Sequence, residues 1–371
     1  MTINKVLTYF EKWAPKGAAW EDDNIGLQVG NPKDLISNVM LSLELDERVL
    51  KQALKKNCNL IITHHPFIFT PIKNLNFATN PKSQLIKKLI ENNITLYSAH
   101  TNLDFTKDGV SFELAKKVGL KNIQFLVNQE SNQYKLVVYT PLENVEQVSN
   151  AIFNAGGGII GEYSKCSSQS IVEGTFEGSE KSNLTVGKKR ELERVTEVRL
   201  EVLVNSWELS SIINVMKSVH PYEEPAYDIF MLKNKNTNYG SGAIGELSAS
   251  MNLNEFLSHV SKALKVDGLK YVKGNSTKIK KVAVCGGTCS DLMGATIVAK
   301  ADAFITADVK YHTFQDAENR ITLIDAGHYE TEVPVLKPVK EKLEKFFKEE
   351  KSKIKVFKYQ GSTNPVKFYN N

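Results

Sequence analysis

Short apolar runs alternate with amphipathic stretches through the first third of the chain. The runs Asn38–Leu45, Asn59–Thr63 and Ile94–Ser98 predict strands, and the stretches Asp46–Lys56, Lys82–Asn92 and Ser111–Val118 predict helices. Near the N-terminus, Ile3, Val6, Leu7 and Phe10 recur at helical spacing. The last third repeats this grammar. It predicts strands at Lys281–Cys285, Ala303–Thr306 and Thr322–Asp325, a helix over Leu292–Lys300, and a long charged helix from about Thr331 to Lys351. Strands alternating with helices predict an α/β fold, a parallel or mixed sheet covered by helices.

The middle third has another order. Tyr134–Thr140 reads as a strand and Val145–Ala155 as a helix, and Gly156–Gly158 breaks the chain. Strands near Gly161–Lys165 and Ser170–Phe176 precede a polar loop, Gly178–Lys189. A strand at Glu197–Val204, a helix at Ser206–Val219 and a strand at Tyr227–Leu232 complete a β-α-β-β-β-α-β series. That series is close to a ferredoxin-like split βαβ unit, of α+β type. The Asn- and Gly-rich segment Lys233–Gly242 marks its end.

Composition removes several classes. Of the 371 residues 42% are apolar and 24% charged, which fits a globular core and disfavours a disordered chain. The formal net charge of +5 is small for this length, and only five of the 47 basic residues are Arg, so a nucleic-acid reader is disfavoured. No apolar run reaches the roughly 18 residues of a membrane helix, so no membrane partner is expected. The opening residues lack the apolar core of a secretory signal, and the four cysteines (Cys58, Cys166, Cys285, Cys289) do not resemble a disulfide framework. A reducing cytoplasm is the simplest expectation.

The chemistry collects at strand ends. His64 and His65, His100 and His328 each follow a predicted strand, where ligands bind in open α/β sheets. Three strands would thus bring imidazoles to one edge of one sheet. Asp104 lies four residues after His100, and Glu332 four after His328. If the chain turns helical at His328, that spacing points His328 and Glu332 the same way and Glu330 elsewhere. Adjacent strand residues face opposite sides, so His64 and His65 suit two neighbouring ions better than one. Three or four imidazoles with two carboxylates suit Zn, Fe or Mn, in a two-metal site. Asp104 and His328 are more than 220 residues apart, so the first and last thirds must form one domain with the middle inserted. The expected boundaries are 1–126, 127–242 and 243–371.

In chain order, WEDDNIGLQVG, ITHHPFIF, SAHTNLD, VAVCGGTCSDL, ADAFITADVKYH and DAGHYETE resemble the successive motifs of the Nif-three-like family of GTP cyclohydrolase 1 type 2 homologues. HPYEEPAYDIF is similar to the end of the PII/CutA-like domain inserted in its long bacterial members. The resemblance runs through the whole chain. It implies a discontinuous three-layer α/β metal-binding domain with that insertion. It also implies two divalent metal ions per subunit (Zn first, Fe or Mn as alternatives), held by His64, His65, Asp104, His328 and Glu332. Glu332 would bridge, and His100 would either support a metal ligand without touching the ions or face the substrate. A toroidal homohexamer, with the sites opening into an internal cavity, is implied as well. The chain departs from the pattern in the extra acid of Glu21–Asp22–Asp23 and in Ala307 where Gly is common.

Several other residues carry two readings each. Asp308 and His312 are either a substrate-facing acid/base pair or a helix cap with a surface histidine. Trp20–Asn24 either positions a carboxylate on a histidine or anchors a turn, the turn being favoured. Gly286–Gly287 between the two cysteines is either a phosphate cradle or, the favoured reading, a tight strand–helix turn. Cys285 and Cys289 have no second Cys pair with which to hold zinc. His220 reads as a charge at a helix C-terminus, and His259 as structural or solvated. Three functions follow. The first is a metal-dependent hydrolase of a small-molecule substrate, a nucleotide or phosphoester, with His100, His312 and Asp308 as its proton-handling residues. The second is a regulatory or metal-handling scaffold whose insertion senses a small effector. The third and least favoured is a toroid that passes single-stranded nucleic acid.

Overall fold

The computed structural model describes residues 1–369. The chain divides into two compact units: residues 1–127 with the chain from Tyr239 onward, and residues 128–238 between them.

The first unit holds two sheets where the pattern of strands and helices predicted one. In the five-stranded sheet Val39–Ser42, Leu60–Thr63 and Thr95–Ser98 run parallel, and every residue of the three is buried. Strands covered on both faces need runs that are apolar at most positions rather than alternating. Gly26–Val29 closes one edge antiparallel, and Val356–Lys358 pairs in parallel with Val39–Ser42 at the other. That last pairing stitches the end of the chain to its beginning.

Alternate residues of these strands enter separate cores. Leu41, Leu60, Ile62 and Tyr97 pack against the helices Ile3–Trp13 and Leu336–Glu349. Met40, Ile61 and Leu96 pack with residues of the helices Glu47–Lys55 and Pro81–Glu91. The six-stranded sheet has the order Lys270–Val272, Thr322–Asp325, Ala303–Thr306, Ile279–Val284, Asn236–Met251, Lys121–Gln129, and it mixes parallel and antiparallel pairs. It too is covered on both faces, by the helices Val110–Lys117 and Leu253–Leu264 on one and Met293–Val298 and Tyr311–Ala317 on the other. Each sheet therefore completes its own three layers, which is why one continuous sheet does not form.

Two long strands, Lys121–Gln129 and Asn236–Met251, escaped the sequence pattern. Asn236–Met251 runs through the segment that reads as a boundary, and its Asn, Gly and Ser residues hide it. A Cβ on Gly240 would lie 2.4 Å from the Val127 carbonyl oxygen, so close backbone approach requires glycine there. The long C-terminal helix is also interrupted. His328–Glu332 is α-helical, Val333–Val335 tightens to a 3₁₀ turn at Pro334, and Leu336–Glu349 resumes the α-helix.

In the second unit Ser167–Glu177, Leu192–Asn205, Gln133–Pro141 and Tyr227–Met231 lie in that order, all antiparallel. The helices Val145–Asn154 and Ser206–Val219 share one core with the sheet, centred on Leu136, Ile152, Leu200, Ile212 and Met216. The strand expected at Gly161–Lys165 is a turn instead, with an isolated bridge between Ile160 and Tyr163.

Candidate metal centre

The strand Leu60–Thr63 ends in His64 and His65, and Thr95–Ser98 leads to His100 and the short helix Thr101–Asp104. These belong to the five-stranded sheet. His328 follows Thr322–Asp325 of the other sheet, so the imidazoles meet from the carboxyl ends of two sheets rather than along one. His328 opens its helix after Gly327, whose φ of +84° suits glycine. One turn of that helix sets His328 Nε2 3.0 Å from Glu332 Oε1. Glu330 leaves the site and accepts from Asn364.

Glu332 is the centre of the cluster and is 3% exposed. His64 Nε2 lies 3.8 Å from its Oε1, and His65 Nε2 lies 3.1 Å from its Oε2. The adjacent histidines thus favour different oxygens of one carboxylate. His65 and His328 bring their Nε2 atoms within 3.3 Å of each other. Asp104 Oδ1 is 3.6 Å from His64 Nε2. Potential ligand atoms of His64, His65 and His100 lie within 4.8 Å of one another, as do those of His65, His328 and Glu332.

The far side of each ring decides what the near side offers. His64 Nδ1 is 2.7 Å from the Ala99 carbonyl, which only accepts, so Nδ1 carries a proton. His65 Nδ1 is 3.1 Å from Glu44, which in turn accepts from Thr363. His328 Nδ1 is 2.6 Å from Asp308, which also accepts from Thr288 at 2.6 Å. With protons held on Nδ1, neutral rings turn their Nε2 lone pairs toward the buried carboxylates. His64 Nε2, Asp104 Oδ1 and Glu332 Oε2 are buried without a properly aligned hydrogen-bond partner. Lone pairs converging on lone pairs are favourable only with positive charge between them, and mixed imidazole and carboxylate donors suit a transition-metal ion. The residues therefore fit a metal centre.

Without a cation, protons supply that charge. Burial by itself would lower His65, but hydrogen bonds and charge from Glu332 and Glu44 outweigh it and hold its pKa at about 10. The hydrogen bond to Glu332 leads in His328, against burial and with help from Asp308, and brings it to about 9. His64 is also raised: burial opposes, and the charges of Asp104 and Glu332 prevail. Burial would raise Glu332, but the three surrounding histidines hold it well below the ordinary carboxylate range. Burial pushes Asp104 up, against the nearby imidazoles.

A cleft of about 220 Å³ opens over this cluster, lined by Trp20, His100, Asp104, Cys285, His328 and Glu332 among others. Asp23 accepts from His100 Nδ1 at 2.9 Å and from the backbone and hydroxyl of Thr101. The acid in Trp20–Asn24 thus orients a histidine, the less favoured of its two readings. Asp308 and His312 do not meet as a pair. Asp308 is engaged by His328 and Thr288, while His312 is exposed, bonds Gln315 and is not among the described residues lining the cleft.

The loop Gly286–Gly287 makes a tight turn. Its N–H groups donate to the Ser111 and Thr331 hydroxyls, so they are not held out for phosphate. Gly287 has a φ of +68°, and a Cβ there would sit 2.4 Å from Glu332 Oε1. Cys285 and Cys289, two of four cysteines that do not resemble a disulfide framework in the sequence, are joined by a disulfide across this turn. His220 differs from its expected role as a charged cap. Its Nδ1 accepts from the Tyr222 N–H, its Nε2 donates to the Tyr139 carbonyl, and burial lowers its pKa, so it is neutral. His259 is structural, 2.8 Å from the Val118 carbonyl. Glu44 carried no sequence signal, since it joins the site only through the pairing of the strands before it and His65.

Residues 1–365 match the Duf34/NIF3 family (NGG1p interacting factor 3). The chain is 38% identical over 365 residues to a Halalkalibacterium halodurans protein named GTP cyclohydrolase 1 type 2 homolog, covering 98% of each. A Bacillus subtilis protein of the same name is 36% identical over 366 residues, again covering 98% of each. A Bacillus cereus protein related to NIF3 has a solved structure that matches with a TM-score of 0.87 at 34% identity, covering 100% of this chain and 99% of that one. Among the described residues no helix is long and apolar enough to cross a membrane. With nearly its whole length matched in both sequence and fold, the chain belongs to the Duf34/NIF3 family.

Proposed function

We propose that the cluster around Glu332 holds two divalent metal ions and that the protein is a metal-dependent hydrolase of a nucleotide or phosphoester. The observation that carries this is the buried Glu332 carboxylate, faced by three imidazoles whose Nδ1 atoms are engaged elsewhere. The holding residues would be His64, His65, Asp104, His328 and Glu332. Zn is the first expectation, with Fe or Mn as alternatives. Bound ions would supply a water deprotonated near neutral pH and polarise the bond to be cleaved.

The chain's own residues do the rest. Asp23 fixes His100 on the cleft wall, where it is placed to carry a proton to or from the substrate. Asp308 and Glu44 are positioning residues, each holding a ring in one tautomer. His312, exposed and bonded to Gln315, is not among the described residues lining the cleft, so the proton chemistry is assigned first to His100. Trp20, 65% exposed at the cleft and edge-on to Phe105, offers a flat apolar face to a heterocyclic base. The relatives' name points to GTP as the first nucleotide to try.

A second reading is a regulatory or metal-handling scaffold. It rests on the inserted unit, whose four antiparallel strands and two helices share a core of their own and would suit a ferredoxin-like, PII/CutA-like sensor. A toroidal homohexamer in the cytoplasm accompanies both readings. The test is metal analysis of protein never exposed to chelator, with turnover of a nucleotide panel by wild type and Glu332→Gln. Two ions per chain and product release, both lost in Glu332→Gln, are expected. Metal-replete protein that turns over no nucleotide or phosphoester favours the scaffold. Absence of metal from the wild type removes both.

A further inference from the structure

The disulfide Cys285–Cys289 closes a ring around three residues, and two of them touch the candidate centre. Gly287 packs on Glu332 so closely that a Cβ would meet Oε1 at 2.4 Å, and its N–H donates to Thr331 beside Glu332. Thr288 donates to the same Asp308 oxygen that holds His328 Nδ1. Both cysteines line the cleft. A bond spanning four positions removes little freedom from the unfolded chain, so it is a poor staple for a unit with large apolar cores of its own. Cys289 Sγ lies 3.2 Å from the Gly286 carbonyl, which would accept from its thiol once the bond is broken. Cys285 is 5% exposed and Cys289 half-buried at the cleft, so Cys289 is the sulfur a reductant reaches first.

We propose that Cys285 and Cys289 are a reversible dithiol–disulfide pair whose state sets the alignment of Glu332 and His328, and thereby how tightly the site holds its cation. The last clause rests on the metal-centre reading above, while the first does not. The reductant is a dithiol. One of its thiolates attacks Cys289 Sγ, the Cys285–Cys289 bond breaks, and Cys285 leaves with the electron pair and takes a proton. The reductant's second thiolate then attacks its own sulfur in the mixed disulfide, and Cys289 leaves as a thiolate and is protonated. Two electrons and two protons reach the protein, and the reductant departs as a disulfide. Opening the ring frees Gly287 and Thr288 to move, and with them the supports of Glu332 and His328.

The test uses the full chain in buffers of reduced and oxidised dithiothreitol, read three ways. Alkylation and mass measurement follow the two thiols, which are expected to appear together. Hydrogen exchange of chelator-treated protein is expected to show lost protection in residues 285–293 and 328–333 on reduction. Zinc affinity, by competition with a chromophoric chelator, is expected to weaken about tenfold on reduction, the scale for groups that orient metal ligands. Cys289→Ser should show neither difference between the buffers. A pair that stays reduced in oxidised dithiothreitol overturns the proposal, as does identical exchange at 328–333 in both states. Equal zinc affinity in both states overturns the coupling to the cation. If no zinc binds in either state while exchange still responds, the metal-centre reading falls and the redox pair stands.

Discussion

His328 and His220 both sit where an element meets a loop, and the protein holds them in opposite ways. His328 and its neighbour His65 are gripped between carboxylates, Glu332 on one side and Asp308 or Glu44 on the other. Their pKa values rise to about 9 and about 10. His220 is gripped between backbone groups, and burial lowers it. A histidine between two peptide groups is satisfied as a neutral ring and finishes a fold. A histidine between two carboxylates, with its Nε2 turned to the buried one, leaves charge unbalanced. That imbalance separates a binding site from a structural contact.

The strongest way to break this contrast is to disturb the shared carboxylate through its floor. Gly287→Ala would place a Cβ on Glu332 Oε1 at a backbone angle that disfavours alanine. Metal affinity is expected to fall by more than about 100-fold, beyond the range for outer groups, with a loss of fold stability of about 1–3 kcal/mol. Titration calorimetry and urea denaturation would read the two effects, and an unchanged affinity would show that Glu332 is not the anchor. Next in size is Asp308→Asn, which removes the acceptor that fixes the His328 tautomer. Metal affinity should weaken by about 10–100-fold while the urea midpoint barely moves. A weaker midpoint with full metal affinity would make Asp308 a fold residue.

The remaining test lies in pH. In chelator-treated protein His65 and His328 have folded values above the roughly 6.5 of an unfolded chain. Their stabilisation is complete below about pH 6.5 and disappears as pH rises through about 9 and 10. His220, lowered in the fold, contributes above that unfolded value, and its contribution disappears as pH falls through its folded value. Denaturation of metal-free wild type should therefore weaken from neutral to alkaline pH, while a His220→Gln variant should differ from it most at neutral pH and least in acid. Metal-free stability that rises toward pH 10 would contradict the carboxylate grip.

The elements lying nearest the site were largely readable from the chain. Leu60–Thr63, Ala303–Thr306 and Thr322–Asp325 are short, largely apolar and wholly buried because both faces of each strand are covered. The pairing of His328 with Glu332 follows from one helical turn. Asn236–Met251 was not readable, since its glycines answer to close backbone approach, which no local pattern records. Glu44, Asp23 and Asp308 as partners of particular rings were hidden in the same way, because each meets its histidine across 20 to 77 positions of chain.

The chain alone determined its local periods, the histidines at strand ends, and the need for its first and last thirds to meet. Periodicity and short-range spacing are properties of neighbouring residues, and they survive in the unfolded chain. Only the tertiary structure decided that two sheets rather than one deliver the imidazoles, which nitrogen of each ring faces Glu332, and that Cys285 and Cys289 close a ring against it. Those outcomes depend on which buried groups find partners, and partnership is settled when distant segments pack.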